Sequence, residues 1–445
     1  MAHSLPGARD GTIGSVTREE AKQILDRALS FVSADEATAL LTESSEAATR
    51  FANSEITQNV ARSDIQCEIR VAFDNRVGSA RINSFDDDSL QSAVQRAEAM
   101  ARVAAPDTEF VPCPGPAETS EVPAFDPAVA NVDPMQRADA VKTAVAEGDR
   151  AGVKLAGSFT ARSSTEALAN TKGAFFYHPE TFARFVCTAM TDSSSGWAEG
   201  VSHRLSEIDP AALATRAAKK ANAGRDPVEV EPGDWTAVLE PPAVAEMLAF
   251  VAYSMDAKAA IEGRSVFAGK EGADVAGPHA LLCSDPAHPT CPATPFHTDG
   301  MPAHRVEWVR QGRLNTLSYD RFWAQKQGKP YTGNPSNFVM AGGEATEEEL
   351  ISKVKRGLLI TRFWYIRHVD PMQLILTGMT RDGLFLIENG EVTRGVKNLR
   401  FNESPLIMLK NIEALGKPKR CGSWAPIEAP GILTHEYTFT SGTSF

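Results

Sequence analysis

Few stretches restrict the fold of this 445-residue chain as tightly as Thr380-Arg-Asp-Gly-Leu-Phe-Leu-Ile-Glu-Asn-Gly-Glu-Val392. Leu384–Glu388 and Glu391–Arg394 are strand-forming runs joined by Asn389-Gly390. Asn and Gly both tolerate the left-handed backbone of a two-residue turn, and that turn matches the natural twist of paired strands. The segment therefore predicts an antiparallel hairpin. Val396-Lys-Asn-Leu-Arg-Phe-Asn-Glu-Ser404 follows, leading into Ser404-Pro405, a cap with proline at the first helical position. That helix is expected to run to Gly416.

The rest of the C-terminal half has the same β-rich texture. Val306–Val309 and Leu314–Leu317 flank Gln311-Gly312 as a second hairpin, Thr236–Leu239 is a short strand among prolines, and Ala243–Met255 is one helix. The N-terminal half alternates differently. Thr17-Arg-Glu-Glu20 is a capping box, after which Ile24, Leu25, Ala28, Leu29 and Val32 share one helical face. Ile65, Cys67, Ile69, Val71 and Phe73 alternate with more polar residues, the period of a half-buried strand; Val77–Ile82 returns after a turn at Asp74-Asn75. Asp86, Asp87 and Asp88 start a helix with Leu90, Ala93, Val94, Ala97 and Met100 inward. Beyond a proline-dense connector, Pro106 to Pro127, the order returns: a helix from Pro134 to Arg150, short strands from Val153 to His203, and a helix from Asp209 to Ala221. The first half thus reads helix–strands–helix twice, although identity between the two units is too weak to define a repeat.

The fold class expected is α+β, with helices packed on mainly antiparallel sheet. The length calls for two domains of roughly 200 residues each. The divisions expected are a flexible tail at 1–15, an N-terminal α/β domain at 16–225 with its connector at about 106–133, and a C-terminal β-rich domain at 226–445.

A net charge of −12 offers no basic face for nucleic acid. No apolar run approaches the about 20 residues of a membrane span, and the N-terminus lacks the basic-then-apolar order of a secretory signal. Six scattered cysteines form no disulfide framework, so a cytoplasmic, reducing location is expected. Phosphate loops, GxGxxG, the GxSxG elbow and CxxC are all missing.

None of the nine histidines pairs with another at i, i+4 on an expected helix. His435-Glu436 begins like a zinc-protease motif but lies in a β-like run ending in Phe439. Cys283, His288 and Cys291, with His297 and His304 nearby, form the densest Cys/His cluster. Their spacing matches no structural zinc pattern and reads as a surface loop. Phe363-Trp-Tyr-Ile366 reads as packed aromatics, and Arg381-Asp382 as a solvated turn. The alternative makes Arg381, Asp382, Trp364 and Tyr365 the rim and wall of a peptide-binding cleft.

Arg50-Phe51-Ala-Asn-Ser-Glu55, Val77-Gly78 and Ala97–Ala101 in the first half resemble the TldD/PmbA family of metallopeptidase-related proteins. So do Glu262-Gly-Arg-Ser265, Asp299-Gly-Met-Pro302, Tyr319-Asp-Arg321, Tyr331-Thr-Gly-Asn334 and Thr380–Val392 in the second. The resemblance covers nearly the whole chain. It implies an N-terminal α/β domain, a β-rich C-terminal domain, a dimer, and proteolysis of peptides or unfolded segments. Zinc-bearing members carry H-E-x-x-x-H on a helix before the segment equivalent to Gly263–Phe267, with a cysteine ligand near the C-terminus. Two histidines hold zinc there and the glutamate is the general base.

Counting back from Ser265-Val266-Phe267, the corresponding positions are Leu248 to Tyr253. Leu248 and Ala249 lack any ligating or basic atom, and Tyr253 alone holds no metal. No catalytic residue, cofactor or metal is therefore expected in this chain. Cys421 is a lone candidate ligand, read as a small buried thiol. The resemblance implies a TldE/PmbA-type subunit of a cytoplasmic metallopeptidase complex that processes peptides, with zinc in a TldD-like partner. Two alternatives stay open: a homodimer that captures peptides at a sheet edge without hydrolysis, and an independent peptidase using an unrecognised site such as the Cys283–His304 loop.

Overall fold

The computed structural model describes residues 16–422 and 426–443. The tail expected at residues 1–15 lies outside the described residues. Helix α1 (Arg18–Ser30), strands β1 (Glu36–Ala52), β2 (Glu55–Phe73) and β3 (Arg76–Ile82), and helix α2 (Asp87–Val103) form a first unit. After an irregular connector and a short α3 (Pro127–Ala130), a second unit repeats the order: α4 (Pro134–Arg150), β4 (Lys154–Asn170), β5 (Phe175–Met190), β6 (Ser195–Ser202) and α5 (Pro210–Ala223).

The six strands form one antiparallel sheet in the order β3-β2-β1-β4-β5-β6. Its centre pairs the first strand of each unit, with Thr38 opposite Asn170 and Phe51 opposite Gly157. The arrangement is a structural duplication about β1 and β4, and one device marks it. A Cβ added at Gly78 in β3 would lie 2.1 Å from the Ala97 carbonyl oxygen and 2.5 Å from the Ala101 nitrogen of α2. One added at Gly196 in β6 would lie 2.3 Å from the Ala217 carbonyl oxygen and 2.4 Å from the Ala221 nitrogen of α5. Each unit seats its second helix directly on its third strand through a glycine. Gly196→Val is expected to cost about 3 kcal/mol, because backbone, not a flexible side chain, fills the space. The urea midpoint measures it, and Gly200→Val, which meets only Leu213 and Ile208 side chains, is the milder comparison.

The strands after Val153 are not short: β4 and β5 run 17 and 16 residues. Pro179 does not break β5, because it pairs with Thr165 of β4 at a level β6 does not reach, where no N–H is needed. One face of the sheet is covered by α1 and α2 over Leu41, Cys67 and Ile69, and by α4 and α5 over Phe159 and Phe185.

The second half contains β7 (Gly233–Leu239), α6 (Pro241–Tyr253), α7 (Ala257–Ile261), β8 (Leu282–Ser284), β9 (Val306–Arg310), β10 (Arg313–Leu314) and α8 (Arg321–Gln327). It continues with β11 (Phe338–Met340), α9 (Glu347–Ser352), β12 (Arg356–Asp370), β13 (Ile375–Glu388), β14 (Glu391–Gly395), β15 (Leu399–Glu403), α10 (Pro405–Lys410), β16 (Ile412–Cys421) and β17 (Ile427–Gly442). Strand β7 pairs with β12 on one side and β17 on the other, so β7-β12-β13-β15-β17 closes on itself. Closure leaves those strands no open edge. The Asn389-Gly390 turn has the anticipated positive φ angles, 54° and 82°. Helix α10 is shorter than expected: it stops at Lys410, and Ile412 starts a strand by pairing with Thr434. The architecture is α+β, as the sequence predicts.

Candidate functional site around helix α6

Helix α6 starts with Glu240 at its cap and prolines at its first two positions. Leu248 is 0% exposed and Ala249 1%, both packed in the core that holds Phe267 and Tyr437. Tyr253, at the helix end, is 72% exposed. The positions that resemble a metal motif are thus two apolar side chains in dry core and one phenol in solvent. Among the described residues, no group of three or more His, Cys, Asp or Glu side chains is placed to hold a metal ion. Cys421 is buried, and burial pushes its thiol well above the ordinary range, with Glu199 and Glu246 adding to the shift. A metal ligand must be the thiolate, and this environment disfavours it.

The Cys283–His304 segment departs from the surface-loop reading. Cys283 and Cys291 are buried against Val339, while His288 turns toward Thr290 and Glu428, at 3.3 and 3.8 Å. The two sulfurs pack as small apolar groups in this loop.

A groove of about 660 Å³ opens at the end of α6, lined among others by Tyr253, Arg264, Asn334, His368 and Pro371. The His368 ring meets Phe250 of α6 edge-on, with centroids 5.1 Å apart. Hydroxyls here are occupied: Ser254 Oγ donates to the Phe250 carbonyl at 2.8 Å, and Ser265 Oγ to the Ser254 carbonyl at 2.8 Å. Neither is bonded to a base that would make it a nucleophile. The groove offers shape and polar contacts.

Behind α6, charges join the two halves. Arg184 of β5 grips Glu199 of β6 through Nε and Nη2 at 3.0 and 2.9 Å, and the other Glu199 oxygen accepts Gly422 N–H at 2.9 Å. Arg362 of β12 holds Asp382 of β13 at 2.6 Å, while Ser195 Oγ of β6 donates to Asp382 at 2.9 Å. Asp382 is 8% exposed, which corrects the solvated turn, and it lines a cavity of about 500 Å³ with Ser195, Gly383 and Lys397. Positive φ angles at Asp382 and Gly383, 52° and 131°, tuck the carboxylate under Arg362. A second cluster lies at the start of α6. Lys220 Nζ is 2.6 Å and Arg216 Nη2 2.8 Å from Glu240, and Thr361 Oγ1 donates to Glu240 at 3.1 Å. Local sequence did not reveal these groups; the one signal was two acids, Glu240 and Glu246, in an otherwise apolar helical segment.

Glu246 sits partly buried between the halves and accepts Phe363 N–H at 2.7 Å. Burial pushes its carboxyl up to about 8 from an ordinary 4.5, and burial likewise raises Glu403 of β15 to about 7. Between those limits the folded protein keeps protons that the unfolded chain has released. Stability from these groups is therefore full at acidic pH and falls as pH rises toward 8, by at most about 1.4 kcal/mol per pH unit for each. Glu246→Gln is expected to flatten that fall. Urea midpoints at three pH values between 5 and 8 check it; an equally steep fall in the variant contradicts it.

Phe363 is buried at 1%, but Trp364 is 42% and Tyr365 60% exposed, which corrects the packed-aromatic reading. Tyr365 has φ +57°, and pairing of β12 with β13 is broken between Trp364 and Arg367. In a regular strand neighbouring side chains face opposite ways; the irregularity lets these two rings meet, with centroids 5.5 Å apart. Arg381 lies 4.4 Å from the Trp364 ring centre and Arg367 lies 4.2 Å from that of Tyr365. The structure thus brings Arg381, Trp364 and Tyr365 together on the surface and places Asp382 in the interior.

Family models cover most of the chain. The PmbA/TldA metallopeptidase domain 1 matches residues 37–101, the central domain 114–225 and the C-terminal domain 232–441. A crystal structure of TldE from Thermococcus kodakarensis superposes with a TM-score of 0.85 at 18% identity, covering 94% of this chain and 99% of that one. At that identity the likeness speaks to the fold. A protein of Methanothermobacter thermautotrophicus described as a metalloprotease is 25% identical over 187 residues, 38% of this chain and 40% of that protein.

Proposed function

This chain belongs to the PmbA/TldD metallopeptidase family, and from that premise we propose that it is the subunit without zinc, paired with a zinc-bearing homologue. One observation carries the reading: Leu248 and Ala249 stand in sealed apolar core where a zinc-bearing helix needs a histidine and a glutamate. Helix α6 here is a structural member that carries one wall of the groove. The groove, with Tyr253, Arg264, Asn334 and His368, would guide an extended peptide toward chemistry in the partner. Zinc, when bound in that partner, would activate the water that cleaves the peptide bond. The residues here would bind and orient the chain and help exclude bulk water. No helix among the described residues is long and apolar enough to cross a membrane, and a cytoplasmic site of action is part of the proposal.

Co-expression tests it. The chain, produced with a homologue carrying H-E-x-x-x-H from the same genome, is expected to elute as a stable complex holding zinc. Recovery only as a homodimer, with the homologue present and folded, overturns the heteromeric reading.

A further inference from the structure

We infer that the exposed stack Arg381–Trp364–Tyr365–Arg367, at the β12–β13 hairpin, is a recognition platform for acidic stretches of extended peptides. The inference rests on the subunit reading above and adds a substrate class to it. Two guanidiniums lie against the faces of two rings at 4.4 and 4.2 Å, so the planar faces are occupied and N–H donors remain for a carboxylate. Arg367 donates one N–H to the Ile366 carbonyl at 3.0 Å and has no acidic partner among the described residues. Arg381 Nε is 3.9 Å from Asp382, but that carboxylate is already held by Arg362 at 2.6 Å. Asp370, at the end of β12, is occupied in bonding Met372 N–H and the Gln373 side chain, at 2.8 and 2.9 Å.

Arg367, with no acidic partner among the described residues, and Arg381, which shares Asp382 with Arg362, thus stand out on a chain of net charge −12. Between them lie rigid aromatics, which bind with little loss of side-chain freedom. Tyr365 holds a left-handed φ of +57° while its ring, held by Trp364 and Arg367, stays 60% exposed. Such strain persists where a geometry is used. Val369 and Met372, 54% and 45% exposed, extend the hairpin with apolar surface.

Charge complementarity selects the occupant. Carboxylates at i and i+4 of an extended chain lie on one side, about 13 Å apart, and suit two cations separated by two stacked rings. Nucleic acid, with a charge every 1.7 Å or so, needs a basic face that two guanidiniums on an acidic protein do not supply.

The test uses the full isolated chain and three fluorescein-labelled probes: a dodecapeptide with glutamates at i and i+4 among leucines, the same peptide with lysines there, and a dodecamer of deoxythymidine. By fluorescence anisotropy the acidic peptide is expected to bind at least about tenfold tighter than the lysine version, the effect of one hydrogen bond between charged groups. Arg367→Gln with Arg381→Gln should remove that preference, and Trp364→Ala should weaken binding of the acidic peptide. Unchanged circular dichroism and melting temperature would show that the variants fold. Equal binding of the two peptides, no binding of either, an undiminished preference in the double variant, or tighter binding of the deoxythymidine probe overturns the inference. Loss of this preference in a chain that still assembles with its zinc-bearing homologue removes the platform and leaves the subunit reading standing. Failure to assemble has the opposite meaning.

Discussion

Ala249→Glu is expected to destabilise the protein by about 3–5 kcal/mol, enough to unfold a marginal domain at room temperature. Ala249 is 1% exposed on α6 and belongs to the main apolar core. A carboxylate placed there has no cation or metal to offset its dehydration. Leu248→His adds a second penalty, since it removes a fully buried leucine and leaves an imidazole without partners, together about 2–5 kcal/mol. Tyr253→His, at a 72% exposed helix end, should stay within about 0.5 kcal/mol. The three positions that would have to change together to write a zinc motif are thus energetically unequal. Urea denaturation of the single variants checks the ordering. A well-folded Ala249→Glu protein, or one that gains stability from zinc, would mean that the helix core is less sealed than described.

Glu240→Ala is the second large effect. Its carboxylate lies between Lys220 at 2.6 Å and Arg216 at 2.8 Å, and both Lys220 and Glu240 are buried. Burial works against the charge, yet the two cations hold the Glu240 carboxyl below its ordinary range. Truncation leaves a buried ammonium uncompensated, so a loss of about 3–5 kcal/mol is expected. The double variant Lys220→Met with Glu240→Leu should recover most of it, because an apolar pair of similar volume replaces a desolvated ion pair. The comparison of single and double variants by urea midpoint separates charge compensation from simple packing. The network also joins α5 of the first half to α6 of the second, so the single variant should loosen that junction.

Local chemistry was readable in the sequence where it acted locally. Asn389-Gly390 specifies its own turn, and Thr17 with Glu20 its own cap. The duplication was visible only as an order of elements. Two units can share a fold through one glycine each, Gly78 and Gly196, while the remaining contacts are met by different apolar residues. Closure of the ring by β7 was not visible, because it joins residues near 238 to residues near 359 and 433, which no short pattern encodes. Asp382 was misjudged for a specific reason. Asp-Gly favours a solvated turn by itself, and only the distant Ser195 and the paired Arg362 draw the carboxylate inward. Trp364 and Tyr365 were misjudged because aromatic runs usually pack; the pairing irregularity that exposes them is a property of two strands together. Among the site residues, Leu248 and Ala249 could be singled out in the sequence only through the family pattern, and the structure places both in dry core.

Metal analysis of the isolated, folded protein, with a parallel peptidase assay, decides whether this chain carries zinc chemistry of its own. The expected result is well under one zinc per chain after dialysis against a weak chelator, with no peptide cleavage that a strong chelator abolishes. One tightly held zinc per chain, together with chelator-sensitive cleavage by the protein alone, would contradict it.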